Sequence, residues 1–457
     1  MESSKDIKNE KDFKPLSLSF SSMIGVALPL SIGAFVQFLV LFTDNYFLAK
    51  TSDEAISGAG IAAMIYITAS MFISGMASGT QIFIARKQGE NKANELAKYF
   101  INELLLCVVL SLLLSGAISL ISNNLLPQWT RDQGVLIVAQ EFLEIRLLGM
   151  TFYAVLMALV AFYIGIARTT VLIFSTILTA GLNIILDYAL ITGNWGFEAY
   201  GHQGAAWATV SSEFIGFLFL IIYTLFFGHG KRLKLISGRK TITFETIKEM
   251  LSVSFPLMLQ QVLALATWTL FFFLVEKVGI VALKVSNLVR TLYMLAFVIL
   301  MGVGQTTRTY VSTLIASSRQ SELPSAIKKL IAMNLIGVLI LCHGFVLYPE
   351  YIATFFFDQE IGLEDFIKST RVIFISIILF SFSGVFLNVI EGSGRTWVGF
   401  GIEFASIIIY LCFVYFITIL HPQPVHIIWM SDYVYFGFMG MLSAVFLLFG
   451  NWKYNKL

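Results

Sequence analysis

Long apolar segments recur along nearly the whole chain and alternate with short polar stretches. A helix needs about 20 apolar residues to cross the hydrocarbon core of a bilayer. Twelve segments reach that length, at residues 22–48, 55–84, 96–122, 137–165, 170–192, 203–228, 249–275, 280–307, 326–348, 366–392, 397–420 and 428–451. The pattern predicts an all-α integral membrane protein with twelve transmembrane helices.

Residues 23–171 of the first half align with the second half at one constant offset without gaps, and this alignment is called the repeat register. This register superposes the segment GIARTTV on GSGRTWV, and it places Pro29 on Pro256 and Gly75 on Gly302. Hydrophobicity alone would not align prolines, glycines and an Arg-Thr pair. Each repeat contains six helices, an even number, so both insert in the same direction as two six-helix lobes related by a parallel internal repeat.

Composition and charge agree with a membrane protein and indicate its orientation. Of the 457 residues, 57% are hydrophobic and only 13% are charged. If the N-terminus is inside, the tails and even-numbered loops hold 22 of the 30 Lys and Arg residues, and the outer loops hold six. The positive-inside rule then predicts a multi-pass protein of the cytoplasmic (inner) membrane with both termini in the cytoplasm. The net charge of +2 follows from this topology and does not indicate nucleic-acid binding.

The repeat also predicts the domain limits. Because the first residues contain no apolar core, they are interpreted as a cytoplasmic tail and not as a signal peptide. The predicted parts are an N-terminal tail at 1–21, an N-lobe with helices 1 to 6 at 22–228, a basic cytoplasmic linker at 229–248, a C-lobe with helices 7 to 12 at 249–451 and a C-terminal tail at 452–457.

Four polar side chains inside the N-lobe helices are candidates for function. Asp44 lies near the end of helix 1, and Asn183 and Asp187 lie four residues apart on one face of helix 5. Thr209 lies in helix 6. Ionisable groups inside a membrane cost roughly 2.5–3.5 kcal/mol each, and they usually serve a function. At 1.5 Å per residue from the outer helix ends, the two acids and the threonine lie about 6–9 Å deep, so they can meet.

The chemistry of these side chains indicates a cation site. Two carboxylates, an amide oxygen and a hydroxyl are hard ligands suited to Na⁺, and two neighbouring carboxylates can also share a proton. The sequence leaves H⁺ and Na⁺ open and predicts no other cofactor. Structural alternatives exist, since Asp44 could reach the outer interface, Asn183 could bridge two helices and Thr209 could bond its own backbone.

These residues, in this order, resemble the multidrug and toxic compound extrusion (MATE) family over almost the whole chain. The resemblance rests on Pro29 followed fifteen residues later by Asp44, on the NIILD and GAAWAT segments of helices 5 and 6, and on the Arg-Thr turns at 168 and 395. It implies an antiporter, coupled to H⁺ or Na⁺, that exports amphipathic and often cationic compounds by alternating access. The four candidates above would form its cation site. Its partners would be small-molecule substrates and membrane lipid, with no obligate protein partner.

The repeat confines the predicted cation site to the N-lobe. The repeat register places Asp44 on Phe271 and Asp187 on Val414, neither of which can ionise. One branch of the MATE family has an acidic residue midway along helix 7, but here that helix contains no acid before Glu276. A second cation site of that branch's kind is therefore not expected in the C-lobe.

Two further predictions concern a hinge and a substrate cavity. Pro29 removes a backbone hydrogen bond from helix 1, so this helix could bend there and couple the cation site to the cavity; a static kink is the alternative. Arg290 is expected to pair with a carboxylate. The predicted cavity side chains are Gln37, Glu213, Gln260, Gln261, Asn287 and Arg290.

Other classes of function receive little support. The chain has no GxxxxGK[ST] run for nucleotide binding and no HExxH metal motif, so an enzyme is not expected. A channel is disfavoured by the chemical asymmetry of the two lobes. The nearest alternative is a lipid-linked oligosaccharide flippase of the same broader superfamily, which would be expected to place more basic residues in its cavity than Arg290 alone.

Overall fold

The computed structural model describes residues 15–227, 242–354 and 362–454. In these residues, 12 helices are long and apolar enough to cross a membrane. They are α1 (Phe20–Leu48), α2 (Asp53–Gly89), α3 (Ala93–Trp129), α4 (Gln133–Gly165), α5 (Thr170–Leu190), α6 (Gly201–Phe227), α7 (Phe244–Val278), α8 (Ile280–Ala316), α9 (Gln320–Cys342), α10 (Leu363–Gly392), α11 (Thr396–Leu420) and α12 (Val425–Phe449). The all-α class and the twelve predicted transmembrane helices are confirmed.

The helix limits differ from the predicted ones where polar or helix-breaking residues occur. Helix α2 continues to Gly89 and α8 to Ala316, because charged and polar residues extend these helices past their apolar stretches. The prediction that the ninth helix reaches residue 348 is wrong, since α9 ends at Cys342. Two short helices follow it, Gly344–Leu347 and Pro349–Ala353. Pro349 has no backbone N–H and starts a new helix more readily than it continues one.

The parallel repeat is visible in both packing and turns. Helix α2 packs on α3 and α4, and α6 packs on α4 and α5; in the second half, α8 packs on α9 and α10, and α12 packs on α10 and α11. Helices α2 and α8 are followed by left-handed residues at Asn91 (φ 57°) and Ser318 (φ 58°). The turns after α4 and α10 contain Ala167 (φ 52°) and Gly394 (φ 85°). The repeat register superposes the members of each pair, so the two repeats share local geometry as well as topology.

The chain forms two compact units whose limits fall inside α1 and α7. One unit comprises residues 32–258, and the other comprises residues 15–31 together with 259–454 of the described chain. Both limits lie two residues after a proline, Pro29 in α1 and Pro256 in α7. The lobe limits predicted from the repeat, 22–228 and 249–451, stay a prediction. Most of the predicted tail at 1–21 and of the linker at 229–248 lies outside the described residues, as do residues 455–457.

The first half of α1 belongs to the second unit, and the first half of α7 belongs to the first unit. Glycines allow these two half-helices to approach their neighbours closely. In the first unit, a Cβ at Gly75 of α2 would lie 2.4 Å from the Cα of Met258. In the second unit, a Cβ at Gly302 of α8 would lie 2.8 Å from the carbonyl oxygen of Ala27 and 2.2 Å from Ser31 Oγ. Gly75 and Met258 are the repeat equivalents of Gly302 and Ser31, so the same close contact occurs in each unit.

Replacing Gly75 by Ala should therefore destabilise the protein. The new methyl group would meet the backbone of Met258, and overpacking of this kind typically costs about 1–3 kcal/mol. The control is Gly116→Ala in α3, where a Cβ meets nothing within 4 Å and alanine is the better helix former. Thermal unfolding in detergent should show a lower midpoint for the first variant only. Equal midpoints for both variants would contradict the close contact.

Candidate functional site

The predicted cation residues lie on α1, α5 and α6 of the first unit. Asn183 and Asp187, one helical turn apart on α5, are 1% and 0% exposed. Asp44 on α1 and Thr209 on α6 are half-buried. Helices α5 and α6 approach closely because Gly204 has no side chain, since a Cβ there would lie 2.5 Å from the carbonyl oxygen of Leu190. The four side chains are thus placed on three neighbouring helices.

The structure brings these side chains together as two contacting pairs. The carboxyl groups of Asp44 and Asp187 lie within hydrogen-bonding distance of each other. Asn183 Nδ2 donates to Thr209 Oγ1 over 3.5 Å, and the threonine hydroxyl donates to the carbonyl oxygen of Ala205 over 3.0 Å. Because Asp187 is one turn from Asn183, the two pairs are adjacent on α5.

Several oxygen atoms of this cluster accept no hydrogen bond from any residue that the structure describes. They are buried, and they comprise Asp44 Oδ1, Asn183 Oδ1 and both carboxyl oxygens of Asp187. A buried polar atom left unsatisfied costs free energy, and adjacent ionised carboxylates repel each other. The arrangement is therefore suited to a ligand with positive charge, either a shared proton or a small cation held by oxygen atoms.

An ion pair that the sequence interpretation missed lies beside the two acids. The guanidinium of Arg146 on α4 forms a two-point salt bridge with Glu213 on α6, with both N–O distances 3.1 Å. It also lies 4.0 Å from the ring centroid of Tyr66, which gives a cation–π contact, and it interacts electrostatically with Asp44. Comparing depths along the helices could have found this pair, since Arg146 and Glu213 lie at similar distances from the first residues of α4 and α6.

The ion pair changes the charge balance of the site. Arg146 and Glu213 neutralise each other, and the two-point geometry commits both oxygens of Glu213 to the guanidinium. Within the described chain, no cationic side chain forms a salt bridge with Asp44 or Asp187. Glu213 was predicted to line the substrate cavity, and the structure places it in this pair.

The other predicted cavity residues are distributed over both units. Gln37 on α1 is exposed, and Gln261 on α7 is half-buried. Asn287 donates to the carbonyl oxygen of Leu283 on its own helix over 3.0 Å. The structure does not bring these three side chains into the cluster around Asp44. Their role in a substrate cavity stays a prediction.

Two cavity candidates have contacts that were not foreseen. Arg290 lies 4.8 Å from the ring centroid of Phe272, and no ion pair of Arg290 occurs within the described residues. The expectation that it pairs with a carboxylate stays a prediction, and the described contact of the guanidinium is an aromatic face on the neighbouring helix. Gln260 is buried and donates to two glutamates, Glu391 and Glu403.

The equivalent positions of the second unit form an apolar, aromatic cluster. Phe271, the equivalent of Asp44, lies with its ring centroid 5.1 Å from that of Trp429 and 6.2 Å from that of Tyr410. Val414, the equivalent of Asp187, is fully buried in the same cluster. The repeats share helix packing but differ in chemistry at this position.

If the cluster holds a cation, as the sequence predicts, replacing Thr209 by Val should weaken cation binding only moderately. The valine keeps the volume of the side chain but removes the hydroxyl that accepts from Asn183 and already donates to Ala205. A single neutral hydrogen bond contributes about 1 kcal/mol, so the half-saturating cation concentration in a transport assay should rise by about fivefold. The matched control is Thr179→Val, which removes a hydroxyl that donates to the carbonyl oxygen of Ser175 and should leave this value unchanged. A loss of all coupling in the Thr209 variant would contradict this minor role.

The fold and the site together define a polytopic membrane protein built from two parallel six-helix repeats, with a pair of contacting acids in one of them. The MatE family profile matches residues 29–189 and again residues 256–416. The two matches start at Pro29 and Pro256, which the repeat register superposes. The chain therefore belongs to the MatE family.

Relatives and solved structures agree with this membership. A Thermotoga maritima protein named "Probable multidrug resistance protein NorM" is 28% identical over 235 residues, which cover 51% of this chain and 50% of the relative. A protein of the same name from Agrobacterium fabrum is 22% identical over 351 residues, covering 75% of this chain and 73% of the relative. This chain thus spans about half the length of the Thermotoga relative.

The solved structures share the fold of this chain. "Crystal structure of MATE in the straight conformation" superposes with a TM-score of 0.84 at 19% identity, covering 94% of this chain and 95% of the other. "Crystal structure of eukaryotic MATE transporter AtDTX14" superposes with a TM-score of 0.81 at 17% identity, covering 95% and 96%. Similarity at this level of identity shows a common architecture.

Proposed function

We propose that this protein is an antiporter that exports amphipathic, often cationic, compounds across the cytoplasmic membrane in exchange for H⁺ or Na⁺. The observation that carries the proposal is the contact between the carboxyl groups of Asp44 and Asp187. Three buried oxygens of this pair, Asp44 Oδ1 and both carboxyl oxygens of Asp187, have no donor in the described chain. Membership of the MatE family and the names of the relatives, which denote multidrug resistance proteins, support the same function.

In this proposal, the charge of the site couples cation binding to the movement of α1 and α5. Without a ligand, the two acids would carry two negative charges beside the neutral Arg146–Glu213 pair. A proton shared by the carboxyls would remove one of these charges, and a Na⁺ ion would be held by carboxyl, amide and hydroxyl oxygens of Asp44, Asn183, Asp187 and Thr209. Either ligand would draw α1 and α5 together, whereas its release would favour their separation.

Helix α1 can transmit this change towards the substrate. Asp44 lies fifteen residues after Pro29, and α1 passes from one compact unit to the other two residues after that proline. A helix is easily bent at a proline, because one backbone hydrogen bond is missing there. In this proposal Pro29 is a hinge, and the cation and the substrate favour opposite conformations, as reciprocal coupling of two ligands requires.

The remaining parts of the proposal follow from the family. Both termini would lie in the cytoplasm, the substrates would be small amphipathic molecules that reach the protein from the cytoplasm or the lipid, and no protein partner would be needed. The polar side chains at Gln37, Gln261, Asn287 and Arg290 remain candidates for substrate contact.

Transport by the purified protein tests the proposal. Proteoliposomes that contain the wild-type chain and a fluorescent cationic dye would be given a proton gradient or a Na⁺ gradient in separate experiments. The proposal predicts dye movement under at least one gradient, in the direction opposite to the cation. No dye movement under either gradient, with protein shown to be folded by its thermal unfolding, would contradict it and favour the flippase alternative.

A further inference from the structure

The second unit contains a buried polar cluster that the function proposed above does not use. Glu403 on α11 and Glu391 on α10 are 6% and 3% exposed, and both accept hydrogen bonds from the Nε2 atom of Gln260 on α7. The distance from this nitrogen to Glu391 Oε1 is 2.9 Å. One amide group thus joins two carboxyl groups on two other helices.

Charge is not balanced in this cluster. Arg308 on α8 forms a salt bridge with Glu391, with 3.2 Å between Nη1 and Oε2. Glu403 has neutral partners, namely Gln260 and the hydroxyl of Tyr435 on α12, which donates to its Oε1 atom over 3.2 Å. Within the described chain, one arginine therefore faces two carboxyl groups, and an ionised Glu403 would be a buried charge without a counter-charge.

A second observation points to a ligand on Glu403. Gln260 is only 9% exposed, and its Oε1 atom accepts no hydrogen bond from any described residue although it belongs to the same amide that contacts both acids. An amide can present either its NH₂ group or its oxygen after rotation by half a turn. It could therefore donate to an ionised Glu403 and accept from a protonated one.

We propose that Glu403 is a proton-binding site of the second unit. A proton suits the cluster better than a metal ion, because N–H and O–H donors from Arg308, Gln260 and Tyr435 already point at the carboxyl oxygens. Gly399, one turn before Glu403 on α11, provides the space for Glu391, since a Cβ there would lie 3.1 Å from Glu391 Cγ.

The titratable groups around Glu403 are few. Glu391 faces it from α10, Tyr435 faces it from α12, and Arg308 on α8 reaches it through Glu391. Asp432 on α12 and Tyr410 on α11 interact electrostatically with Tyr435. Among these groups Arg308 is the single cation, and its charge is committed to Glu391.

The first repeat has no equivalent of this cluster. The repeat register places Gln260 on Gly33 and Glu403 on Thr176, and these two residues also face each other, with 3.6 Å between a Cβ built on Gly33 and Thr176 Oγ1. The same register places Glu391 on Ile164. The crossing of the first and fifth helices of each repeat is thus conserved in geometry, whereas carboxyl groups occur there only in the second repeat.

Infrared spectroscopy tests the proposal without any transport assay, so its outcome is independent of the proposed antiport. Spectra of reconstituted wild type and Glu403→Gln at neutral pH would be subtracted. The proposal predicts one carboxylic-acid carbonyl band that is present in wild type and lost in the variant. The control is Glu364→Gln, which changes an exposed acid on α10 and should leave that band unchanged.

A second variant keeps the test decisive if Glu403→Gln does not fold. Glu391→Gln frees Arg308 to neutralise Glu403, so the same carbonyl band should disappear and a carboxylate band should appear. An unchanged carboxylic-acid band in folded Glu403→Gln, or in folded Glu391→Gln if only that variant is available, would overturn the proposal.

Discussion

Replacing Asp44 by Asn should reduce cation-driven export by about 100-fold or more, which corresponds to about 2.7 kcal/mol of lost coupling. Asparagine has nearly the size of a protonated aspartic acid, so the contact with Asp187 can persist while the charge of the site no longer changes. The variant should still bind the dye, because Asp44 belongs to the proposed cation site and not to the predicted cavity. Dye efflux from proteoliposomes under each gradient measures the loss, and fluorescence polarisation measures dye binding.

Asp53→Asn is the matched control for this prediction. Asp53 is an exposed acid in the first turn of α2, close to Asp44 in the sequence, and it lies outside the carboxyl pair. Its replacement should leave export within about twofold of wild type, as expected for a surface change away from the site. If Asp44→Asn transported as well as this control, Asp44 could not be the coupling residue.

Replacing Arg146 by Met should destabilise the protein strongly. The change leaves the mostly buried carboxyl group of Glu213 without its guanidinium partner and removes the cation–π contact with Tyr66. Breaking a buried ion pair by removing one partner typically costs about 3–5 kcal/mol. The midpoint of thermal unfolding in detergent should therefore fall by many degrees, and the yield of folded protein should fall with it.

The double variant Arg146→Met with Glu213→Met separates charge from packing. Two apolar side chains of similar size leave no unpaired charge, so most of the lost stability should return. Lys368→Met serves as the control, because its salt bridge with Glu364 is exposed and surface pairs contribute little. A double variant that is as unstable as Arg146→Met would show that the unpaired charge is not the source of the instability.

The sequence predicted the helices and the candidate cation residues from simple physical rules. Apolar length predicted twelve helices, and the cost of ionisable groups in hydrocarbon selected Asp44 and Asp187. Depth along the helices then placed them at the same level, and the structure puts their carboxyl groups in contact. These rules succeed because helix length and depth depend on local sequence and on the bilayer alone.

Features that depend on contacts between distant helices could not be predicted in this way. The first halves of α1 and α7 each belong to a different unit from the second halves of the same helices. This arrangement depends on close backbone contacts, such as Gly75 with Met258, that no local pattern reveals. The cluster around Glu403 depends on four other helices, α7, α8, α10 and α12. The partner of Arg146 could have been predicted, because a buried arginine requires an acid at the same depth.

Measuring dye efflux and cation entry together tests whether the carboxyl pair of Asp44 and Asp187 couples cation movement to export. Proteoliposomes would receive an outward dye gradient with no ion gradient, and entry of H⁺ and of radioactive Na⁺ would be recorded together. We expect dye efflux through wild type and Asp53→Asn to drive one of these cations inward, whereas Asp44→Asn and Asp187→Asn should show no cation entry. Dye efflux through wild type without cation entry, or equal cation entry through Asp44→Asn, would contradict this coupling.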